Sequence, residues 1–326
     1  MKAMIWSEYG SPDVIKLQEI PKPIPKDNEI LVKIHSTTVT SGDCEMRSMK
    51  TALFFRILMR LYTGLRKPKR IIMLGMELAG EIIEIGDEVN LFKKGDQIFA
   101  ALSYENIGTY AEYKCIPQDS VIAIKPENMT YEEATTIPVG GLEAYHYIRQ
   151  AEIQQGREML INGAAGTIGI FALQLAKGLG AKVTAVDSTE KLVMLNSLGA
   201  DRTIDYNKQD FTEDINRYDI ILDIVGKRNP SESMRVLKDG GIYIVVSPGI
   251  FKSLKARLHA KIQNKKVKFK TPSFKLTDLL YLREKIEAGK LRTIIDKQFL
   301  LEDAPTAHRY VESGNKVGHV VLKIGD

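Results

Sequence analysis

The strongest indication of how this chain folds is a glycine-rich turn, Gly163-Ala164-Ala165-Gly166-Thr167-Ile168-Gly169. It directly follows Glu158 to Asn162, a short apolar run typical of a buried strand, and it opens an apolar helical pattern. A turn placed in this way directs the free N–H groups of a helix N-terminus toward a bound anion. We therefore expect it to hold the pyrophosphate of a dinucleotide. The expected contacts are Ala164, Ala165, Gly166, Thr167, Ile168 and Gly169.

The glycines of the turn have separate roles. Gly166 lets the backbone approach the phosphates closely, and Gly169 lets the helix pack tightly on the strand. Ala164 stands where the commoner fingerprint has its first glycine, so the motif departs from the usual pattern. The next strand, Lys182 to Val186, is followed by an acidic residue, Asp187. That arrangement spans about one βαβ unit and favours dinucleotide binding over a purely structural turn.

Strand and helix patterns alternate through the middle of the chain. Glu190 to Leu198 has helical periodicity, whereas Tyr218 to Val225 and Gly241 to Val246 have the character of strands. Strands that alternate with crossover helices predict a parallel, doubly wound sheet. We therefore predict an α/β fold with a dinucleotide-binding domain at residues 125–290.

The first part of the chain has a different residue pattern. Short strands such as Ile30 to Ile34 lie between Pro, Gly and Asp residues, and they predict a small β-rich barrel over residues 1–124. The tail, residues 291–326, returns to strand, helix and strand. Its last strand, Gly318 to Ile324, is most easily placed back with the barrel, which makes that domain discontinuous.

The choice of nicotinamide cofactor is open from the residues alone. Asp187 would accept hydrogen bonds from a free ribose 2′-hydroxyl, which favours NAD. Lys191, with Ser188 and Thr189, would instead clamp a 2′-phosphate if Asp187 turned away or paired with the lysine. The alternative for Lys191 is an ordinary surface lysine on the first turn of a helix. We lean to NADPH and keep NAD open.

Composition limits the remaining possibilities. Only Cys44 and Cys115 are cysteines, too few for a disulfide framework or a four-cysteine zinc site. The chain has no apolar run of about 18 residues and no signal-peptide pattern at its start, so we expect a cytoplasmic protein. The net charge of +5 hides two segments rich in Lys and Arg and free of acids, 47–70 and 240–277. No aromatic-studded nucleic-acid motif accompanies them, and we expect no nucleic-acid partner.

Further segments along nearly the whole chain resemble the medium-chain dehydrogenase/reductase superfamily, and specifically its zinc-free quinone oxidoreductase branch. The resemblance implies a GroES-like β-barrel domain packed on a doubly wound Rossmann domain, with a small-molecule substrate in the cleft between them and a homodimer as the assembly. The matching segments are Met1-Lys2-Ala3, Tyr9-Gly10, Pro12-Asp13-Val14, Pro21-Lys22-Pro23, Leu31-Val32-Lys33, Gly75-Met76-Glu77-Leu78-Ala79-Gly80-Glu81, Pro138-Val139-Gly140-Gly141-Leu142, Gly199-Ala200-Asp201, Ile204-Asp205-Tyr206 and Ala307-His308-Arg309-Tyr310-Val311-Glu312-Ser313-Gly314.

The resemblance also implies a site without zinc. Zinc-dependent relatives carry a Gly-His-Glu triplet, and Met76 stands at the histidine position. Thr40 stands at the position of their catalytic cysteine, and Cys115 alone cannot supply their four-cysteine lobe. Alcohol oxidation then loses the help of a Lewis acid. Hydride transfer from NAD(P)H to a quinone or an α,β-unsaturated carbonyl remains feasible.

Two residues are the candidates for catalysis. By family analogy Thr40 faces the nicotinamide and would donate a hydrogen bond to the developing enolate oxygen; a buried threonine bonded to backbone is the alternative. Asp43 and Arg47 match a family pattern of acid and arginine, but Glu45 replaces the tyrosine often found between them. The proton donor therefore stays open, and water is one option.

The resemblance implies four more residues near the cofactor. Tyr206 is expected near the adenosine, and Gly226 follows an apolar strand. Ser247 and Pro248 end a strand, where ligands of open α/β sheets bind. His308 belongs to a family motif but lies in a helix of the tail, and we expect it to be structural.

The basic segment 47–70 contains an apolar helical stretch from Ala52 to Tyr62 with arginines at 56 and 60. Such a helix must bury its apolar area, over the substrate cleft or in a dimer contact. The alternative is contact with an anionic membrane surface.

Two other functions stay open: a metal-free reductase or dehydrogenase of another carbonyl, and a dinucleotide-binding protein with little catalysis that binds nucleic acid.

Overall fold

The structure of the chain is a computed structural model that describes residues 1–51, 53–214, 218–246 and 250–325. The chain divides into two compact units. The antiparallel-sheet unit comprises Met1–Val139, Phe274–Glu287 and Thr293–Asp326, and the parallel-sheet unit comprises Gly140–Ser273 and Ala288–Arg292.

The bounds of the strands and helices follow the chain. The strands are β1 (Lys2–Trp6), β2 (Ile15–Glu19), β3 (Glu29–Thr38), β4 (Glu77–Ile85), β5 (Gln97–Ala101), β6 (Tyr113–Pro117), β7 (Val121–Ile124), β8 (Glu158–Asn162), β9 (Lys182–Asp187), β10 (Arg202–Asp205), β11 (Tyr218–Asp223), β12 (Leu237–Val245), β13 (Lys266–Lys268), β14 (Ile295–Leu300) and β15 (His319–Lys323). The helices are α1 (Ser41–Ser48), α2 (Leu53–Thr63), α3 (Tyr131–Ala134), α4 (Pro138–Ala151), α5 (Thr167–Gly178), α6 (Leu192–Ser197), α7 (Pro230–Arg235), α8 (Ile250–Ile262), α9 (Leu276–Glu287) and α10 (Ala304–Glu312).

The antiparallel-sheet unit is built around β3. Its larger sheet runs in the order β14-β15-β3-β4-β5-β7, with β6 also paired to β3, and β1 and β2 form a separate antiparallel pair. Alternate residues of β3, Ile30, Val32 and Ile34, are buried in one apolar core. β15 pairs with β3, with Val321 opposite Thr38. The last strand of the chain thus lies in the same sheet as β3.

The parallel-sheet unit contains six strands in the order β10-β9-β8-β11-β12-β13, and every pairing is parallel. Numbered from β8, this order is 3-2-1-4-5-6, which defines the doubly wound Rossmann fold. The central strands carry fully buried apolar residues such as Leu160, Val186 and Ile221, as expected where helices cover both faces of a sheet. The order reverses between β8 and β11, and ligands of such sheets bind at the carboxyl ends beside that reversal.

The predicted α/β fold class is confirmed, and so is the helix of the basic segment, which forms as α2 over Leu53–Thr63. β10 and β13 were not predicted. Both are short strands at the edges of the parallel sheet. Runs this short carry too little periodicity to be recognised in a sequence.

Candidate active site and cofactor-binding residues

The glycine turn joins the end of β8 to the start of α5. The N–H groups of Gly163 and Ala164 donate to the carbonyl oxygen of Val186, at 3.0 and 3.2 Å. Gly163 has a φ of +85°, in the left-handed region that favours glycine, and Ala164 does not have a positive φ. The conformation that needs a glycine therefore falls on Gly163, which explains why an alanine is accommodated next to it.

Gly166 and Gly169 bring the helix N-terminus close to the turn. Gly166 is the N-cap of α5 and offers no side chain to the first amide groups of the helix. A Cβ on Gly169 would lie 2.4 Å from the carbonyl oxygen of Gly163 and 2.5 Å from that of Ala164. Helix and turn therefore pack at a distance that only glycine allows. Because Gly166 has no side chain, it makes no side-chain cap to the first amide groups of α5. Thr167 and Ile168 form the first turn of this helix, so the arrangement fits a phosphate group.

Asp187 ends β9 beside the glycine turn. Its Oδ2 accepts a hydrogen bond from the Ala165 N–H at 2.9 Å, and its Oδ1 accepts one from the Ser188 N–H at 3.0 Å. Its side chain is buried. Both carboxylate oxygens therefore accept hydrogen bonds from the backbone, one from the turn and one from the next residue, which limits the freedom of Asp187 to bind a ribose hydroxyl.

Lys191 forms an ion pair with Asp187, at 3.4 Å between Nζ and Oδ1, and its side chain is also buried. Ser188 donates from its hydroxyl to Glu190 at 2.6 Å, and Thr189 donates to Asp205. From the sequence, a pairing of Asp187 with Lys191 is one condition under which Lys191 would bind a 2′-phosphate, and the structure has this pairing.

Tyr206 follows β10 and lies next to the end of β9. Its N–H donates to the carbonyl oxygen of Asp187 at 3.2 Å, and its side chain is about half exposed, at 52%. An exposed aromatic ring at this position can stack on a planar ligand. The structure thus brings Tyr206 beside Asp187, Ser188 and Lys191.

A buried carboxylate that the sequence did not single out holds the carboxyl ends of three strands together. Asp223 accepts hydrogen bonds from Asn162 Nδ2 at 2.8 Å, from the Gly226 N–H at 2.9 Å and from Tyr243 Oη at 2.6 Å. Burial, and then the charge of Asp223, raise the pKa of Tyr243. The network positions the loop of Gly226, whose φ is +61°. In the sequence, Asp223 is a single Asp after an apolar strand, and this pattern is too common to predict the network.

Ser247 and Pro248, the last two positions expected near the cofactor, lie outside the described residues.

Thr40 and Asp43 form the N-terminal cap of α1. The Thr40 hydroxyl donates to Asp43 Oδ2 at 2.6 Å and accepts from the Asp43 N–H at 3.1 Å, and the Thr40 N–H donates to the same Oδ2 at 2.9 Å. The Gly75 N–H donates to Oδ1 at 2.9 Å. Burial raises the pKa of Asp43, although these hydrogen bonds act to lower it. The two catalytic candidates therefore form one hydrogen-bonded pair.

Arg47 and His308 are buried behind that pair. Arg47 forms an ion pair with Glu312. His308 contacts Cys44 Sγ through Nδ1 at 3.3 Å and Tyr110 Oη through Nε2 at 3.2 Å. Burial, reinforced by the charge of Arg47, lowers the pKa of His308 to about 3. These contacts tie α1 to α10, so they support the structural role expected for His308.

Met76 precedes β4 and is half-buried against the core of its unit. Its neighbour Glu77 is buried; it accepts hydrogen bonds from the Thr38 hydroxyl and from the Val139 N–H, the latter at 2.7 Å. Within the described ranges, no group of three or more His, Cys, Asp and Glu residues is arranged to hold a metal ion. The absence of zinc from the active enzyme stays a prediction.

Glu143 on α4 is a second feature that the sequence did not indicate. Burial raises its pKa to about 7, so this carboxyl group can carry a proton near neutral pH. Nothing in the residue pattern around it signals this, because the burial of a single side chain is a tertiary property.

Three family models match the chain. The alcohol dehydrogenase GroES-like domain matches residues 26–126, the zinc-binding dehydrogenase domain matches 198–322, and the C-terminal domain of alanine dehydrogenase/PNT matches 148–232. Together with the Rossmann strand order, they assign the chain to the medium-chain dehydrogenase/reductase superfamily.

Individual relatives narrow the assignment. The quinone oxidoreductase of Homo sapiens is 30% identical over 99% of this chain and 97% of its own length. The NADPH-dependent alkenal/one oxidoreductase, chloroplastic, of Arabidopsis thaliana is 27% identical over 99% of this chain and 79% of its own. The structure of the quinone oxidoreductase from Coxiella burnetii superposes with a TM-score of 0.89 at 31% identity, covering 100% and 99% of the two chains. The chain belongs to the quinone oxidoreductase branch of the superfamily, as its residues indicate.

Proposed function

We propose that this oxidoreductase transfers hydride from NADPH to a quinone or an α,β-unsaturated carbonyl, with no metal ion in the reaction. The observation that carries the proposal is the geometry of the turn between β8 and α5, where Gly169 lets the start of α5 pack against the turn and the N-cap residue, Gly166, has no side chain. The relatives named as quinone and alkenal/one oxidoreductases support the choice of acceptor.

The preference for NADPH rests on the charges beside β9. Lys191 neutralises Asp187, and backbone N–H groups occupy both carboxylate oxygens. The acid is thus a weak partner for a ribose hydroxyl, and the lysine supplies the positive charge that a 2′-phosphate requires. NADH remains the alternative cofactor.

The chemistry is divided between cofactor and protein. When bound, the nicotinamide supplies the hydride. A hydrogen bond from the Thr40 hydroxyl would stabilise the oxygen on which negative charge develops in the substrate. The hydroxyl has one proton, which in the structure lies on the hydrogen bond to Asp43 Oδ2. Burial raises the pKa of Asp43, and a protonated Asp43 would donate to the Thr40 oxygen and so free the Thr40 proton for the substrate. Met76 at the histidine position and Thr40 at the cysteine position support a reaction without zinc.

The test is turnover by chelator-treated protein in metal-free buffer, with NADPH or NADH and three acceptors: a quinone, an enone and a simple aldehyde. We expect NADPH oxidation with the quinone or the enone, and no stimulation by added zinc. Turnover of the aldehyde alone, and only after zinc is added, would overturn the proposal. A cytoplasmic location and a homodimer also remain predictions, to be tested by fractionation and by sedimentation equilibrium.

A further inference from the structure

The proposed reaction assigns no role to a second surface of the antiparallel-sheet unit. It consists of α2 and the loop that follows it, residues 53–70, and we call it the α2 surface. Eight Lys and Arg residues and no acid lie between Arg47 and Arg70. The membrane contact that the sequence leaves open concerns this segment.

Among the described side chains of α2, those that pack on the protein lie on one side of the helix. Met59 and Tyr62 pack against the apolar core, and Thr63 is buried. The opposite side carries a line of exposed side chains at helical spacing, Leu53 and Leu61 at 62% exposure with Ile57 between them. This outward stripe continues through Leu58 and Leu65, which are also exposed. So much contiguous exposed apolar surface on a soluble unit marks an interaction site.

Cations lie directly beside the apolar stripe. A cavity of about 850 Å³ is lined by Arg60, Arg66, Lys67 and Lys69, together with Glu8, Tyr9 and Leu65. In the part of the chain that the structure describes, none of Arg66, Lys67 and Lys69 forms an ion pair. Four cations line the cavity against one acid, Glu8, and this excess of positive charge favours an external anion.

The wall of this cavity is fixed from inside the protein. The Tyr9 hydroxyl donates to the Gly64 carbonyl oxygen at 2.5 Å and lies 2.6 Å from the Thr63 hydroxyl. The Arg60 guanidinium lies over the Tyr9 ring at 4.9 Å, and its Nε is buried without a hydrogen-bond partner among the described residues. A buried donor of this kind indicates a missing acceptor.

We propose that the α2 surface binds the interface of an anionic phospholipid membrane. The apolar stripe would enter the boundary between headgroups and acyl chains, while Arg66, Lys67 and Lys69 neutralise lipid phosphates. The charge pattern argues against a second copy of the chain. A twofold contact places the same patch on both sides, so it would bring these cations against themselves.

The test is co-sedimentation of the full chain with vesicles of phosphatidylcholine alone, and with vesicles in which about one third of the lipid is phosphatidylglycerol. We expect binding to the second kind only, weakened by high salt. The variant R66Q/K67Q/K69Q should bind on the order of 100-fold more weakly, since each cation near the surface contributes about 1 kcal/mol. The variant I57S/L61S should lose on the order of 100-fold as well.

A matched control lies on α8, another basic helix, where Leu258 and Ile262 are exposed at 60% and 74%. We expect L258S/I262S to bind as tightly as the unmodified chain, with all variants retaining their far-ultraviolet circular dichroism. Equal binding to both kinds of vesicle, binding to neither, or an equal loss from the α8 variant would each overturn the proposal. So would a dimer that I57S/L61S converts to monomer in sedimentation equilibrium, because a second copy would then cover the surface.

Discussion

Lys191 and Asp187 form an ion pair at 3.4 Å, with both side chains buried at the end of β9. The two residues favour different cofactors, since the acid favours NAD and the base favours NADP. The N–H groups of Ala165 and Ser188 hold the acid, and the proposed preference for NADPH therefore depends on the lysine.

Replacing Lys191 with alanine should weaken the use of NADPH selectively. Loss of a charge-assisted contact to the 2′-phosphate costs about 1.5 kcal/mol or more, which is about tenfold or more in KM for NADPH. The KM for NADH should change by less than about threefold, because NADH has no 2′-phosphate for the lysine to bind. Lys208→Ala removes an exposed lysine that pairs with Asp205 at 3.5 Å and serves as the control. An equal rise in both KM values would show that Lys191 only stabilises the fold.

Gly169→Ala should disrupt the glycine turn. The new Cβ would meet two backbone carbonyl oxygens within 2.5 Å, so we expect a loss of about 1–3 kcal/mol in the free energy of unfolding and weaker NADPH binding. Gly178 ends the same helix, and nothing lies within 4 Å of a Cβ built there. Gly178→Ala should therefore leave stability unchanged or raise it by about 0.5–1 kcal/mol. Urea unfolding and cofactor titration measure both effects; equal behaviour of the two variants would contradict this account of the turn.

Much of the parallel-sheet unit could be predicted from the sequence because its signals are local. The strand before the turn, the glycines and the acid after β9 all lie within about one βαβ unit. The hydrogen bonds around Asp223 and the raised pKa of Glu143 could not be predicted, since they depend on residues brought together by folding. The cap formed by Thr40 and Asp43 follows from the Thr-x-x-Asp pattern of the sequence, whereas the catalytic role proposed for the pair has no local pattern. The domain boundaries and the site residues stay predictions.

Thr40→Val should separate the two roles of Thr40. The isosteric side chain lacks the hydroxyl, so we expect kcat with an enone to fall by about 10- to 100-fold. Loss of the helix cap should cost about 1 kcal/mol of stability as well, so activity is measured far below the unfolding temperature. Thr40→Ser keeps the hydroxyl and should retain kcat within about threefold. If Thr40→Val keeps full kcat at lower stability, Thr40 is a cap and nothing more.

His308 should make the protein less stable in acid. Its pKa is lowered from 6.5 to about 3 in the folded chain, so only the unfolded chain takes up this proton as the pH falls below about 6.5. Stability is therefore unaffected above that pH, and it declines below it by about 1.4 kcal/mol per pH unit for this residue.

The variant His308→Gln should reduce the slope of unfolding free energy against pH by that amount between about pH 6 and pH 4. His319, whose pKa burial also lowers to about 3, keeps its own contribution in both proteins. An unaltered slope in His308→Gln would show that the histidine is protonated without cost in the folded state.

In the proposed reaction, hydride reaches the conjugated β-carbon of an enone rather than its carbonyl carbon. Single-turnover reduction of an enone with NADPH carrying deuterium at the transferred position of C4, in metal-free buffer, tests it directly. We predict a saturated ketone with deuterium on the β-carbon. An allylic alcohol with deuterium on the carbonyl carbon would contradict the account.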